Sequence, residues 1–308
     1  MMDRERVSSD RRGFDTSGRP LVVGEVLFDN MPDGNRVLGG APFNVAWHLQ
    51  AFGLRPLVVT RVGADDEGDE ALAAMESWGM DTSGVQRDHA HPTGQVKVEL
   101  DDGEPTFHIL PDQAYDRLDG ESAAAIIEKE DPSILYHGSL LARGEISASA
   151  LDRVREIADA PVFVDVNLRD PWWNHIDVLA SVSRARWIKV NEAELGLLAG
   201  APDLAAAEAF RKDHGLDTIV VTRGGRGADI VDRDGSVKAA APTKLEMVDT
   251  VGAGDGFSAV FILGISMGWP TRTILDRALE FAAAMCTVPG ATVSDRGFYS
   301  RFSGQGWM

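Results

Sequence analysis

Apolar and polar positions along this chain fall into two alternating kinds of segment. Short runs rich in β-branched residues each end at polar residues or glycine: PLVVGEV (20–26), PLVVTRV (56–62), SILYHG (133–138), PVFVDVN (161–167), ARWIKVN (185–191) and DTIVVTRGG (217–225). Between them lie alanine- and glutamate-rich stretches with helical spacing, such as GADDEGDEALAAMESWGM (63–80), ESAAAIIEKE (121–130), SASALDRVREIADA (147–160) and DLAAAEAFRKDHG (203–215). Strands separated by helices predict a mainly parallel, doubly wound α/β sheet. In such sheets ligands bind beyond the carboxyl ends of the strands, where the polar endings DVN, KVN and VTRG stand. Two segments break the rhythm. GQVKVELDDGEPTFHIL (94–110) alternates on both sides of Asp101-Asp102-Gly103, a hairpin signal, and LFDNMPDGNRV (27–37) is a second excursion after the first strand. Taken by themselves, they fit surface hairpins as well as parts of a lid.

Composition narrows the class. With 308 residues, 44% hydrophobic and 25% charged, the chain resembles an ordinary globular protein long enough to bury a substantial core. No apolar run approaches the roughly 18 residues that span a bilayer. The first nineteen residues lack the apolar stretch of a secretory signal and read as a polar tail, with one domain over 20–300 and a short tail over 301–308. The lone Cys286 excludes an intramolecular disulfide and a cysteine metal cluster. These features predict a cytoplasmic protein. A net charge of −18 argues against an extended nucleic-acid surface, and it requires local positive charge wherever an anionic ligand docks. Twenty-four arginines against six lysines fit either adaptation to high salt or a GC-rich gene.

The densest chemistry lies in Asp249-Thr250-Val251-Gly252-Ala253-Gly254-Asp255, followed at once by the apolar stretch FSAVFILGI. Small residues where a helix begins leave backbone N–H groups unshadowed, and the helix dipole adds positive charge there, which makes an anion cradle. Asp255 inside such a cradle is expected to remain ionised and to take a proton from a group attacking a bound phosphate. A carboxylate that merely complements the dipole is the simpler alternative.

This string resembles the second signature of the PfkB family of carbohydrate kinases, which have the ribokinase-like fold. A first signature is matched by Gly39-Gly40-Ala41-Pro42-Phe43-Asn44-Val45-Ala46, then Gly53 and Gly63. The resemblance runs from about Pro20 to Phe298 and includes DVNLR (165–169), KVNEAEL (189–195), VVTRGGRG (220–227) and VPGAT (288–292). It implies a three-layer α/β/α fold with a small β lid formed by segments 27–38 and 94–110. One departure is Val260, where relatives carry a smaller residue.

The resemblance also implies roles. Asp255 becomes the base, with the amides of Gly252, Ala253 and Gly254 as the anion hole. Asn191 and Glu194 organise Mg²⁺ largely through water, against the alternative of a helix cap beside a solvated carboxylate. Thr222, Gly224, Gly227 and Gly254, with Asn191, lie on the ATP side. Asp249, Val251 and Gly290 are candidates for a monovalent cation, K⁺ in particular. Asp29, Gly40, Asn44 and Arg169 are expected at the sugar, although Asp29 alone would read as a turn residue. Arg223 receives no role, and Trp172 and Trp173 read as packing residues. The GGAPFN and DVNLR variants resemble the fructokinase branch, which implies transfer of the γ-phosphoryl group of ATP to a primary hydroxyl of fructose. Alternative acceptors are 2-keto-3-deoxygluconate, ribose or a nucleoside. For the acidic sugar, Arg169 or the lid residue Arg36 would supply positive charge. A sugar-binding regulatory protein without catalysis is the alternative from another class. An exposed lid edge is also a candidate surface for a homodimer.

Overall fold

In a computed structural model, the described residues are 18–101, 104–242 and 247–307. The first excursion follows β1 (Arg19–Val23) as a hairpin of β2 (Leu27–Asn30) and β3 (Arg36–Gly39). Helix α1 (Ala41–Ala51) then leads to β4 (Leu57–Gly63), α2 (Asp66–Trp78) and β5 (Val85–Asp88). The second hairpin is β6 (Gly94–Asp101) with β7 (Glu104–Ile109); of its expected turn, Asp102 and Gly103 lie outside the described residues. The chain continues through α3 (Gly120–Ile127), β8 (Pro132–Gly138), α4 (Glu145–Ala158), β9 (Val162–Asp165), α5 (His175–Val182), β10 (Trp187–Asn191), α6 (Glu192–Ala199), α7 (Leu204–Asp213) and β11 (Thr218–Thr222). Two strands, β12 (Ala228–Asp232) and β13 (Gly235–Ala239), and helices α8 (Ala253–Ser266), α9 (Thr271–Met285) and α10 (Arg296–Ser303) complete it.

Nine strands form the main sheet in the order β13-β12-β11-β10-β9-β8-β1-β4-β5. From β5 to β11 the pairs are parallel, and β12 and β13 add an antiparallel edge. Strand order reverses between β1 and β8, so this is where a doubly wound sheet opens a crevice. Alternation along the strands divides the core in two. Val22, Tyr136, Phe163 and Trp187 pack with α1, α8 and α9, while Leu21, Leu135, Val164 and Ile188 pack with α3, α4 and α7. Both hairpins join a separate four-stranded sheet, β3-β2-β6-β7, rooted after β1 and after β5. This matches the three-layer architecture with a small β lid.

One expectation changes here. Residues 301–307 are not a loose tail: Trp307 is 1% exposed and sits in the core cluster beside Trp269 and Phe302. Burial of its indole removes a large apolar surface from water and so opposes the loss of chain freedom on ordering this segment. Val260 is fully buried in the same cluster, so α8 accepts the larger side chain within the core.

Candidate active site

Helix α8 begins at Ala253 behind Gly252, whose φ of +77° is left-handed, and no side chain caps it. The first N–H with an acceptor in the helix path is Gly256, bonded to Gly252 O at 2.8 Å; Ala253 N turns back to Thr250 O at 3.4 Å. The amides of Gly254 and Asp255 are thus the orphan donors of the first turn, aimed where the helix dipole attracts an anion. Gly252 also has a packing role. A Cβ there would lie 2.4 Å from Ala291 Cα, so the glycine allows loop 288–292 to pack against the turn. At Gly254 the nearest atom to a built Cβ is Lys189 Nζ at 3.6 Å.

Lys189 is a site residue that sequence reading missed. Residues 163 and 165 on β9, and 187 and 189 on β10, share the face toward α8 by strand alternation. The Lys189 ammonium donates to both oxygens of Asp165 at 2.7 and 2.6 Å, and Ser258 Oγ of α8 donates to Asp165 Oδ2 at 2.8 Å. A buried ion pair therefore props the helix start from below. The visible signal was a charged residue in each polar strand ending, DVN and KVN.

Asp255 lies on the inner side of this turn, partly buried, and Asn44 Nδ2 of α1 donates to its Oδ2 at 2.8 Å. Two signatures more than two hundred residues apart meet in that bond. Burial pushes the Asp255 carboxyl up to about 6, against the lowering effects of Asn44, Lys189 and Arg169. The helix terminus alone would have kept the group low; desolvation outweighs it. At neutral pH the carboxylate is still mostly ionised.

The remaining sugar-side candidates converge on the same space. A Cβ on Gly39 would stand 3.7 Å from Asp29 Oδ2 and 3.9 Å from Asn44 Oδ1. Asn44 Oδ1 is buried without a hydrogen-bond partner. Gly40 has φ +105°, and a Cβ there would fall 2.6 Å from the Glu25 carbonyl oxygen. Glu25 is the second missed residue. It follows β1 at the strand-order reversal, is 4% exposed, and its Oε2 is also buried without a partner. Burial raises Glu25 to about 7 and Asp29 to about 6, and the exposed Arg169 guanidinium lowers Glu25, Asp29 and Asp255 alike. Arg36 is turned away, paired with Glu67 at 2.8 Å and with Glu70 on α2. It supplies no charge to this space.

On the other side of the cradle, Asn191 and Glu194 form a reciprocal capping box at α6. Asn191 Oδ1 accepts from Glu194 N at 2.9 Å, and Glu194 Oε2 accepts from Asn191 N at 2.7 Å. The cap is real, but the carboxylate is not solvated as that alternative supposed: Glu194 is 6% exposed, and its Oε1 accepts from Leu168 N at 2.8 Å, next to Arg169. Each Glu194 oxygen and the Asn191 oxygen accepts one backbone N–H and keeps a lone pair for a metal-bound water. Among the described residues, no three His, Cys, Asp or Glu side chains gather as a metal site. This donor set suits Mg²⁺ held through water rather than by direct ligation.

Thr222 pairs with Asn191 across β11 and β10. Gly224 has open space around it, but a Cβ on Gly227 would lie 2.0 Å from Ala239 O, so that glycine serves the β12–β13 edge. Arg223 is neither in solvent nor free for phosphate: it pairs with Asp229 and with Glu192 Oε1 at 3.3 Å. Asp249 joins the proposed cation residues, accepting from Val251 N at 3.0 Å and Gly290 N at 3.1 Å. Those contacts align donors onto a carboxylate.

Comparison with known proteins gives the family. The profile of pfkB family carbohydrate kinases matches residues 22–296. Fructokinase of Escherichia coli is 30% identical over 306 residues, covering 89% of this chain and 95% of its own. Fructokinase-1 of Oryza sativa is 29% identical, covering 86% and 85%. The crystal structure of fructokinase from Vibrio cholerae with fructose, ADP and calcium superposes with a TM-score of 0.77 at 25% identity, covering 93% of this chain and 99% of that one. A putative ribokinase II from Escherichia coli, at 20% identity and a TM-score of 0.82, shares the fold. The chain belongs to the pfkB family of carbohydrate kinases, as a fructokinase-like member.

Proposed function

We infer that this enzyme transfers the γ-phosphoryl group of ATP to a primary hydroxyl of a sugar, with fructose as the acceptor. The observation that supports this most is Asp255: a raised but ionisable carboxylate at the uncapped start of α8, oriented by Asn44. The hydroxyl oxygen attacks phosphorus, its proton passes to Asp255, the bond from the γ-phosphorus to the bridging oxygen breaks, and ADP leaves. The orphan amides of Gly254 and Asp255 face the charge that gathers on the transferred group, with Gly252 and Ala253 shaping the turn. Bound Mg²⁺ would neutralise phosphate oxygens, and Glu194, with Asn191, would hold its waters. Thr222 and Gly224 border the nucleotide, while Asp249, Val251 and Gly290 mark the place for K⁺.

On the acceptor side, Asp29, Asn44 and Arg169 bind hydroxyls, and Gly40 lets the chain approach closely. Asn44 offers an unused carbonyl oxygen and Asp29 a carboxyl raised by burial, groups that engage a polyol and are left unpaired by a deoxy sugar. The fructokinase relatives favour fructose. The test is ATP consumption with Mg²⁺ across fructose, ribose, 2-keto-3-deoxygluconate and adenosine, with Asp255→Asn as control. Turnover with fructose that vanishes in the variant supports the reading. Turnover only with another sugar replaces the acceptor, and sugar binding without turnover replaces catalysis by regulation.

The lid edges β3 and β7 bear the exposed side chains Val37 and Phe107, a surface on which a second subunit could pair. Light scattering that finds only monomer discards that dimer.

A further inference from the structure

Two neighbouring tryptophans follow Arg169, and they are used differently. Trp173 donates its indole N–H within its own loop, to Asp170 Oδ1 at 2.7 Å. Trp172 donates its indole N–H to Ile109 O at 3.1 Å, on the last residue of lid strand β7. Its backbone N–H is bonded to Arg169 O at 2.7 Å. Beside it, Arg143 lies over the Trp172 ring at 4.5 Å and donates Nη2 to Leu110 O at 2.8 Å. Asp116 fixes that guanidinium with two contacts, of 2.7 and 2.6 Å. Consecutive carbonyls at the root of the lid are therefore held by two side chains stacked on each other.

Sheet register connects this clamp to the acceptor side. Ile109 stands opposite Val96 in β6, and Val96 stands opposite Asp29 in β2. Trp172 thus grips the row of the lid sheet that contains Asp29, while its own backbone holds the turn that contains Arg169.

We propose that Trp172 is a positioning residue for acceptor recognition, setting the separation between Asp29 on the lid and Arg169 on the body. The proposal rests on the reading that these two residues flank the sugar. A neutral hydrogen bond contributes about 0.5–1.5 kcal/mol net, which corresponds to roughly 2- to 12-fold in an equilibrium constant.

Trp172→Phe removes the N–H and keeps a ring for Arg143. Steady-state kinetics with the acceptor found by the sugar panel, well below each variant's melting temperature, should show the acceptor KM raised about 3- to 10-fold. Its kcat should stay within about twofold and its ATP KM should be unchanged. Trp173→Phe, the internal control, should match wild type. In an Arg169→Ala background, Trp172→Phe should add less than about twofold, because the group it positions is gone. An unchanged acceptor KM, an equal rise in ATP KM, or full additivity with Arg169→Ala overturns the proposal. Those results require an active wild type and leave the proposed function standing; a wild type that phosphorylates no sugar removes both readings together.

Discussion

The proposed acceptor and nucleotide sides of the cradle are built on opposite principles. On the nucleotide side the charged and capping groups are paired with one another: Asn191 and Glu194 cap each other, and Arg223 forms ion pairs with Asp229 and Glu192. On the acceptor side, Asn44 Oδ1 and Glu25 Oε2 are buried without partners, and Glu25, Asp29 and Asp255 are all raised to about 6 or 7. The first arrangement is a stable platform. The second holds desolvated groups whose cost is recovered only when something hydrogen-bonds them, so stability and recognition oppose each other there.

Asp255→Asn should sharpen this contrast most. Turnover should fall roughly 10²- to 10⁴-fold with folding intact, because the amide cannot accept the proton. Measured by thermal melting at pH 8, the same variant should be more stable than wild type. A less stable variant would mean that the carboxylate is well solvated.

Glu25→Gln probes the cost without touching the proposed base. A carboxyl raised from 4.5 to about 7 contributes stability that is fully present below pH 4.5 and is lost as pH rises through 7. At higher pH the loss is on the order of 3 kcal/mol, as an upper figure. Melting curves from pH 5 to 8 should fall for wild type and fall less steeply for Glu25→Gln, the remaining slope coming from Asp29 and Asp255. Parallel curves would show that Glu25 is charged and paired throughout.

Next in size is the acid limb of kcat/KM. With Asp255 at about 6, activity should decline as pH falls through that value. Asn44→Ala removes a hydrogen bond that lowers the Asp255 pKa, so its acid limb should move to higher pH. A shift to lower pH would separate Asn44 from the base.

The smallest effect is expected on the platform. Asn191→Ala should cost about 1 kcal/mol of stability through the lost cap. In denaturant unfolding, a much larger loss would show that the nucleotide side is also strained.

How far these features were legible depended on distance along the chain. The anion cradle could be read because Gly252 to Asp255 are contiguous and an apolar helix follows. Asn44 could be read because its own signature is local. Glu25 was in plain view in GEVLFD, yet alternation makes it look like one more strand residue, and nothing local shows that its carboxyl is unpaired. Trp172 looked like packing because its partner is Ile109, on an element separated from it by four others.

By itself, then, the chain's order of apolar and polar residues determined the parallel sheet, the two hairpins and the start of α8, since each depends on backbone geometry within a few residues. Only the tertiary structure decided that Lys189 pairs with Asp165 beneath the cradle, that Trp307 joins the core, and that three carboxyls share Arg169. Burial and pairing energies depend on which surfaces exclude water together, and that is a property of the assembled fold.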